Sequence, residues 1–252
     1  MFHLFTIVFS LTMTVAVSGG LPENCTGCSF AGRDLQGADL ANVEYMGVDL
    51  ARANLRNANL QGARLTGVDL QNADLRGANV RGAKLVGVDL HDAQLAGASF
   101  DGSTLTGANL RGAIDQSGVD VRGLLNRCVG CDARGAHLGG ADLSGVKIVG
   151  ADLRESDAQR VRFDGADLQG VDFASADLRG ASFRNARICS RSHGYSERPV
   201  SCVDLRGANV AGADFRGALL CDSEDAPDRC TPVDAATLRS GSRSNLDGAV
   251  LQ

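Results

Sequence analysis

From Phe30 to Leu110 every fifth residue is bulky and apolar: thirteen Leu, two Phe, one Tyr and one Val, seventeen positions without a slip of phase. A five-residue period fits neither the 3.6 of a helix nor the 2 of a flat strand, so the backbone must turn a corner inside each unit. Two positions ahead of the bulky centre stands a small residue, as in Ala38, Val48, Ala58 and Val68 before Leu40, Leu50, Leu60 and Leu70. Both point inward. The residue between them, Asp39, Asp49, Asn59 or Asp69, points outward, as the alternation of an extended segment requires. Two positions after the centre comes Gly twelve times and Asn three times in the seventeen units, the residues that reach positive φ at least cost. The tetrapeptide GVDL recurs at 47–50, 67–70 and 87–90, twenty residues apart each time, so four units make one turn of a solenoid.

This A(D/N)LxG pattern resembles the pentapeptide-repeat family. The resemblance implies an all-β fold, a right-handed quadrilateral β-helix with twenty residues per coil. About nine coils are counted, a rod on the order of 43 Å long at the spacing of adjacent strands. The chain divides into a leader (1–18), an amino-terminal cap (19–29), a first repeat block (30–113), an irregular coil (114–130) carrying about three extra residues, and a second block (131–238). Residues 239–252 form a carboxyl-terminal cap or tail, where the pattern loosens. That end is expected either to mediate a homodimer or to pack as an irregular lid, because an open solenoid end exposes unpaired strand edges.

The first eighteen residues are apolar, without an acid or a fixed base, and end in Ala16, Val17 and Ser18. They read as a secretory signal peptide cleaved near Ser18, although the usual Lys or Arg near the start is missing; an uncleaved anchor is the alternative. The expected location is secreted or periplasmic, with no membrane span in the mature chain. Export gives meaning to eight cysteines that fall in close pairs: Cys25 and Cys28, Cys128 and Cys131, Cys189 and Cys202, Cys221 and Cys230. In an oxidising compartment the expectation is four disulfides. In the repeat register all four pairs fall on the edge between the fourth side and the first, counting Phe30 as side one.

Two insertions interrupt the second block at that edge, 190–201 between Cys189 and Cys202, and 222–229 between Cys221 and Cys230. A disulfide across each neck lets the loop project while the coil continues. The loops are the candidate binding site for an unidentified protein partner, through Arg191, His193, Tyr195, Arg198, Asp222, Glu224, Asp225 and Asp228, since solenoids commonly confine variation to one face.

Composition narrows the function. The chain has 32 Gly, no Trp and two Tyr, so its core is a narrow column and not an aromatic globule. Net charge is −5, with Arg mixed among the acids along the repeat, and no nucleic-acid patch is evident. Beyond the leader, His91, His137 and His193 are not spaced with carboxylates or cysteines as a triad or ligand set requires. Outward Asp49, Asp69 and Asp89 are the ordinary residues of the repeat and not a metal set. No catalytic residue, cofactor or metal is expected, and the chain reads as a non-enzymatic scaffold. The alternative comes from the resemblance, whose best-known members bind DNA gyrase by looking like duplex DNA through an acidic rod. Here Arg56, Arg64, Arg76 and Lys84 break up that acidic field.

Overall fold

The computed structural model describes residues 21–114, 118–191, 200–221, 230–234, 236–238, 246 and 249–250. It is a β-solenoid whose laps stack in parallel. One face carries regular strands: β1 (Asn24–Thr26), β2 (Glu44–Met46), β3 (Arg64–Thr66), β4 (Lys84–Val86), β5 (Thr104–Thr106), β6 (Cys128–Val129) and β7 (Ile148–Val149), in one sheet of that order. Tyr45 lies over Cys25, Leu65 over Tyr45 and Leu85 over Leu65, one lap apart each time. The other faces are held by single bridges; on side one the ladder runs unbroken from Ser29 through Asp49, Asp69, Asp89, Asn109, Asp132, Asp152 and Asp172 to Asp204. The seven-stranded sheet accounts for six laps, against the nine or so counted in the sequence. Beyond β7 the stacking passes to isolated bridges.

The corners show why the repeat uses its residue types. The outward Asp or Asn accepts the N–H of the residue two positions on, as Ala51 N–H donates to Asp49 Oδ1 (3.0 Å) and Gln71 N–H to Asp69 Oδ1 (2.9 Å). Such side-chain turns are the local chemistry for which Asp and Asn are selected. Neighbouring laps add amide ladders, with Asn54 Nδ2 donating to Asp34 Oδ1 (2.8 Å) and Asn59 Nδ2 to Asp39 Oδ1 (3.0 Å). Inside, the Leu column is buried, and so is the Ala column apart from the partly buried Ala38, Ala141 and Ala208. In the second block Phe replaces Leu on the third side. Phe163, Phe183 and Phe215 stack with centroids 5.2 and 4.6 Å apart, a separation that the lap spacing itself sets.

Three departures from the sequence reading have physical causes. The irregular coil contains a helix, α1 (Val121–Leu125), so the fold is nearly all-β and not wholly so. Asp120 caps it by accepting the Gly123 N–H (3.0 Å), and Leu124 and Leu125 turn into the column where repeat centres would stand. The extra residues are absorbed there, and Asn109 bridges Asp132 directly. At the far end the sequence extends the repeat to Leu238, but residues 236–238 form a helical turn begun by Asp234, whose Oδ1 accepts the Thr237 N–H (2.6 Å). The strand Cys230–Pro232 runs antiparallel to its neighbour Leu219–Cys221 and cannot feed a further parallel lap. Instead Val250 bridges Asp214, and Leu238 and Leu246 are buried.

At the amino end Tyr45 is buried beneath Pro22, whose carbonyl accepts the tyrosine hydroxyl (3.1 Å); burial pushes its pKa up. Arg33, at a position where the repeat wants a small residue, lies 5.8 Å from the Phe30 ring centroid and caps that ring at the rod's end.

Two stability predictions follow from the column. Leu70→Ala should cost about 2 to 5 kcal/mol in denaturant unfolding, since the laps above and below cannot collapse into the void. Ser156 occupies a small inward position with its hydroxyl buried and unpaired. Ser156→Ala should therefore raise stability by about 1 kcal/mol, and a loss would show that the hydroxyl is satisfied.

Candidate functional site

All four cysteine pairs are disulfide-bonded, at the edge between side four and side one. Cys25–Cys28 and Cys128–Cys131 each span one corner, with Cα atoms 6.0 and 5.9 Å apart. These corners differ from the others. Elsewhere the residue after the corner donates back to the centre, as Ala53 N–H does to Leu50 O (3.0 Å). After β1 to β7 no such closing bond is found among the described residues, because the strand runs one residue further before it turns. After β1 and β6 a disulfide supplies the closure; the corners after β2 to β5 and β7 have neither.

The two later pairs close necks. Strand β8 (Arg187–Arg191) pairs antiparallel with β9 (Val200–Cys202), placing Cys189 opposite Cys202, and β10 (Leu219–Cys221) pairs with β11 (Cys230–Pro232), placing Cys221 opposite Cys230. Their Cα separations are 3.8 and 4.2 Å. Strand β10 also pairs in parallel with β8, so both ribbons belong to one four-stranded sheet ordered β11, β10, β8, β9. The insertions thus spring from adjacent strands, roughly 4.8 Å apart. Beyond the first neck the repeat resumes in register, with Asp204 bridging Asp172.

Arg187 ties the necks together, a role the sequence does not announce. Its Nε donates to Cys221 Sγ (3.1 Å) while its Nη1 lies 3.4 Å from Asp167. The signal available was its position, one lap from Asp167 at the foot of the insertion. Of the sequence-predicted site residues, Arg191 ends β8. His193, Tyr195, Arg198, Asp222, Glu224, Asp225 and Asp228 lie outside the described residues.

The rod below the necks is electrically mixed. On side one Arg134 pairs with Asp132 on its own lap and lies 3.4 Å from Asp152 on the next; Arg154 repeats the pattern with Asp152 and Asp172 (3.6 Å). Asp214 is nearly buried and receives both Arg216 (2.7 Å) and Arg184 (2.5 Å). Hydrogen bonds from Arg76, Arg134, Arg179 and Arg216 hold the Asp74, Asp132, Asp177 and Asp214 carboxyls, respectively, below the usual range. His137 bridges Asp157 as an outward residue, and His91 Nδ1 lies 3.1 Å from the Arg111 carbonyl. Among the described residues no group of His, Cys, Asp or Glu is placed to hold a metal ion, and no helix is long and apolar enough to cross a membrane.

The sequence profile described as Pentapeptide repeats matches in eight copies, over residues 46–82, 73–112, 127–157, 156–189 and 201–224. The chain belongs to the pentapeptide-repeat family. Among solved pentapeptide-repeat structures, HetL of the cyanobacterium Nostoc sp. strain PCC 7120, involved in heterocyst differentiation regulation, is 29% identical. That match covers 78% of this chain and 86% of HetL with a TM-score of 0.34. QnrB1, a plasmid-mediated fluoroquinolone resistance protein, is 20% identical over 74% of this chain and 82% of its own, with a TM-score of 0.39. No curated protein matches the chain significantly.

The carboxylates fix a pH dependence. Their pKa values are lower in the folded chain than the roughly 3.9 of an unfolded Asp, so their stabilisation is fully present above about pH 4 and is lost as pH falls through the folded values. The thermal midpoint should stay level from neutral pH down to about pH 5 and fall below pH 4, with a smaller acid drop in Asp214→Asn. An identical midpoint at neutral and strongly acid pH would show that the pairs contribute nothing.

Proposed function

We propose that this pentapeptide-repeat protein is a non-catalytic scaffold exported to an oxidising compartment, where its two disulfide-necked loops bind a protein partner. The observation that carries the reading is the pair of necks. Two insertions leave neighbouring strands of one sheet, each tied by a disulfide at its foot, and the repeat continues beyond the first in register. A rigid rod bearing constrained excursions on a single edge suits recognition. Closing loops of this size is worth roughly 2 to 3 kcal/mol per bridge in the chain-entropy account. Four disulfides with no free cysteine among the described residues fit a secreted or periplasmic setting better than a reducing cytosol. The gyrase-binding alternative needs a continuous acidic surface, and the Asp–Arg ladders of side one speak against it.

The test is capture from a periplasmic or secreted-protein fraction by the chain beginning at Gly19, against a variant in which 190–201 and 222–229 are each replaced by a two-residue turn. A partner retained by the first and lost by the second is expected. Equal retention would place recognition elsewhere on the rod, and inhibition of gyrase supercoiling at stoichiometric amounts would revive the alternative. Amino-terminal sequencing of the exported protein should begin at Gly19; a retained Met1 would favour an anchor.

A further inference from the structure

The sheet of β1 to β7 differs in surface from the other faces. Each of its rungs turns outward a residue just after the buried centre, and these align in register as Thr26, Met46, Thr66, Val86, Thr106, Val129 and Val149. Met46 and Val129 are 58% and 40% exposed, and the row they belong to contains no charge. On one flank runs a polar row with Glu44, Arg64 and Lys84 on successive rungs, continued by the exposed Arg127 and by Lys147. On the other flank every corner is glycine, from Gly27 and Gly47 to Gly130 and Gly150. A Cβ on any of these would meet nothing within 4 Å in this chain. The result is an uncharged stripe of Thr, Val and Met beside a ridge without side chains, open to close approach from outside.

We infer that this face pairs with the same face of a second copy, antiparallel, about a two-fold axis passing at Val86. The stripe is self-complementary about that residue. Thr66 comes opposite Thr106, Met46 opposite Val129, and Thr26 opposite Val149, so the exposed apolar side chains cover each other, as an isologous contact demands. The flanking row follows suit: Glu44, which lies 3.5 Å from Arg64 in its own chain, comes opposite Arg127, and Arg64 opposite Thr104. Among these pairs the adverse one is Lys84 against itself, at the rim, where solvent and salt screen it. The bare glycine ridges face one another and let the two sheets approach closely.

The size of the stripe sets the strength. Seven rungs span about 29 Å, and a three-residue strand is about 10 Å wide. That footprint falls well below the roughly 800 Å² per partner of a stable complex, so association is weak and concentration-dependent. The necks lie beyond β7, so the antiparallel pair leaves both pairs of necks outside the contact, one at each end.

Sedimentation equilibrium of the disulfide-bonded chain beginning at Gly19, up to about 1 mM, should show mass rising toward twice that of one chain. Val86→Lys puts two further ammonium groups beside the facing Lys84 pair at the axis and should abolish the rise. Glu44→Lys should weaken it and Arg127→Glu in the same chain restore it. All three positions are outside the core, and circular dichroism checks the fold. A mass fixed at one chain at every concentration overturns the inference. So does association that survives Val86→Lys, which would assign the contact to another surface such as the carboxyl end.

Discussion

The constraint on which everything else rests is the backbone bonding between successive laps. Asp69 N–H donates to Val48 O (3.0 Å) on the lap before, and Leu50 N–H donates to Asp69 O (2.8 Å) on the lap after, and the same exchange recurs on all four sides. Because the exchange is between whole laps, each side chain is set over its counterpart. The consequences depend only on residue type: Leu over Leu makes the column, Phe over Phe makes a stack, Asn over Asp makes a hydrogen-bond ladder, and Asp beside Arg makes an ion-pair ladder. Stability of such a rod is a sum of nearest-neighbour terms, which is why small errors of register can be absorbed locally.

The insertions illustrate that local absorption. Between Cys189 and Cys202 the chain leaves along β8 and returns along the antiparallel β9, and the rung after them still meets Asp172 through Asp204. The surplus near α1 is handled differently. There Leu124 and Leu125 offer apolar side chains that are buried in the column, whereas the sequence of 190–201 is largely polar and has no such pair to offer. On the edge that takes the ribbons, the corners after β1 to β7 lack a closing backbone bond, and two of them carry a disulfide; at the first neck Val203 N–H does donate to Ile188 O (2.8 Å), and the Cys189–Cys202 bridge adds to that bond.

Much of this was legible before any coordinates. Phe30 to Leu110 read as stacked centres, GVDL as a four-sided lap, and the paired cysteines as clasps on one edge, since a strict five-residue period leaves each side chain a single direction. Less legible were α1 and the carboxyl end. Leu124 and Leu125 carry no period to announce a helix, and Thr231, Val233 and Leu238 mimic the repeat while β11 runs the wrong way to continue it. Arg187 looked like any outward residue until β10 came to lie against β8.

By itself the sequence determined the lap length, the inward and outward assignment of nearly every residue and the alignment of the thiols, because those follow from period alone. Only the tertiary structure decided that one face would be a regular sheet and three would be held by single bridges. It decided too that the necks would share a sheet, and that Leu238 and Leu246 would be buried. Those outcomes turn on whether a given corner closes with a hydrogen bond and on which way a strand returns, and a repeating pattern of residue types encodes neither.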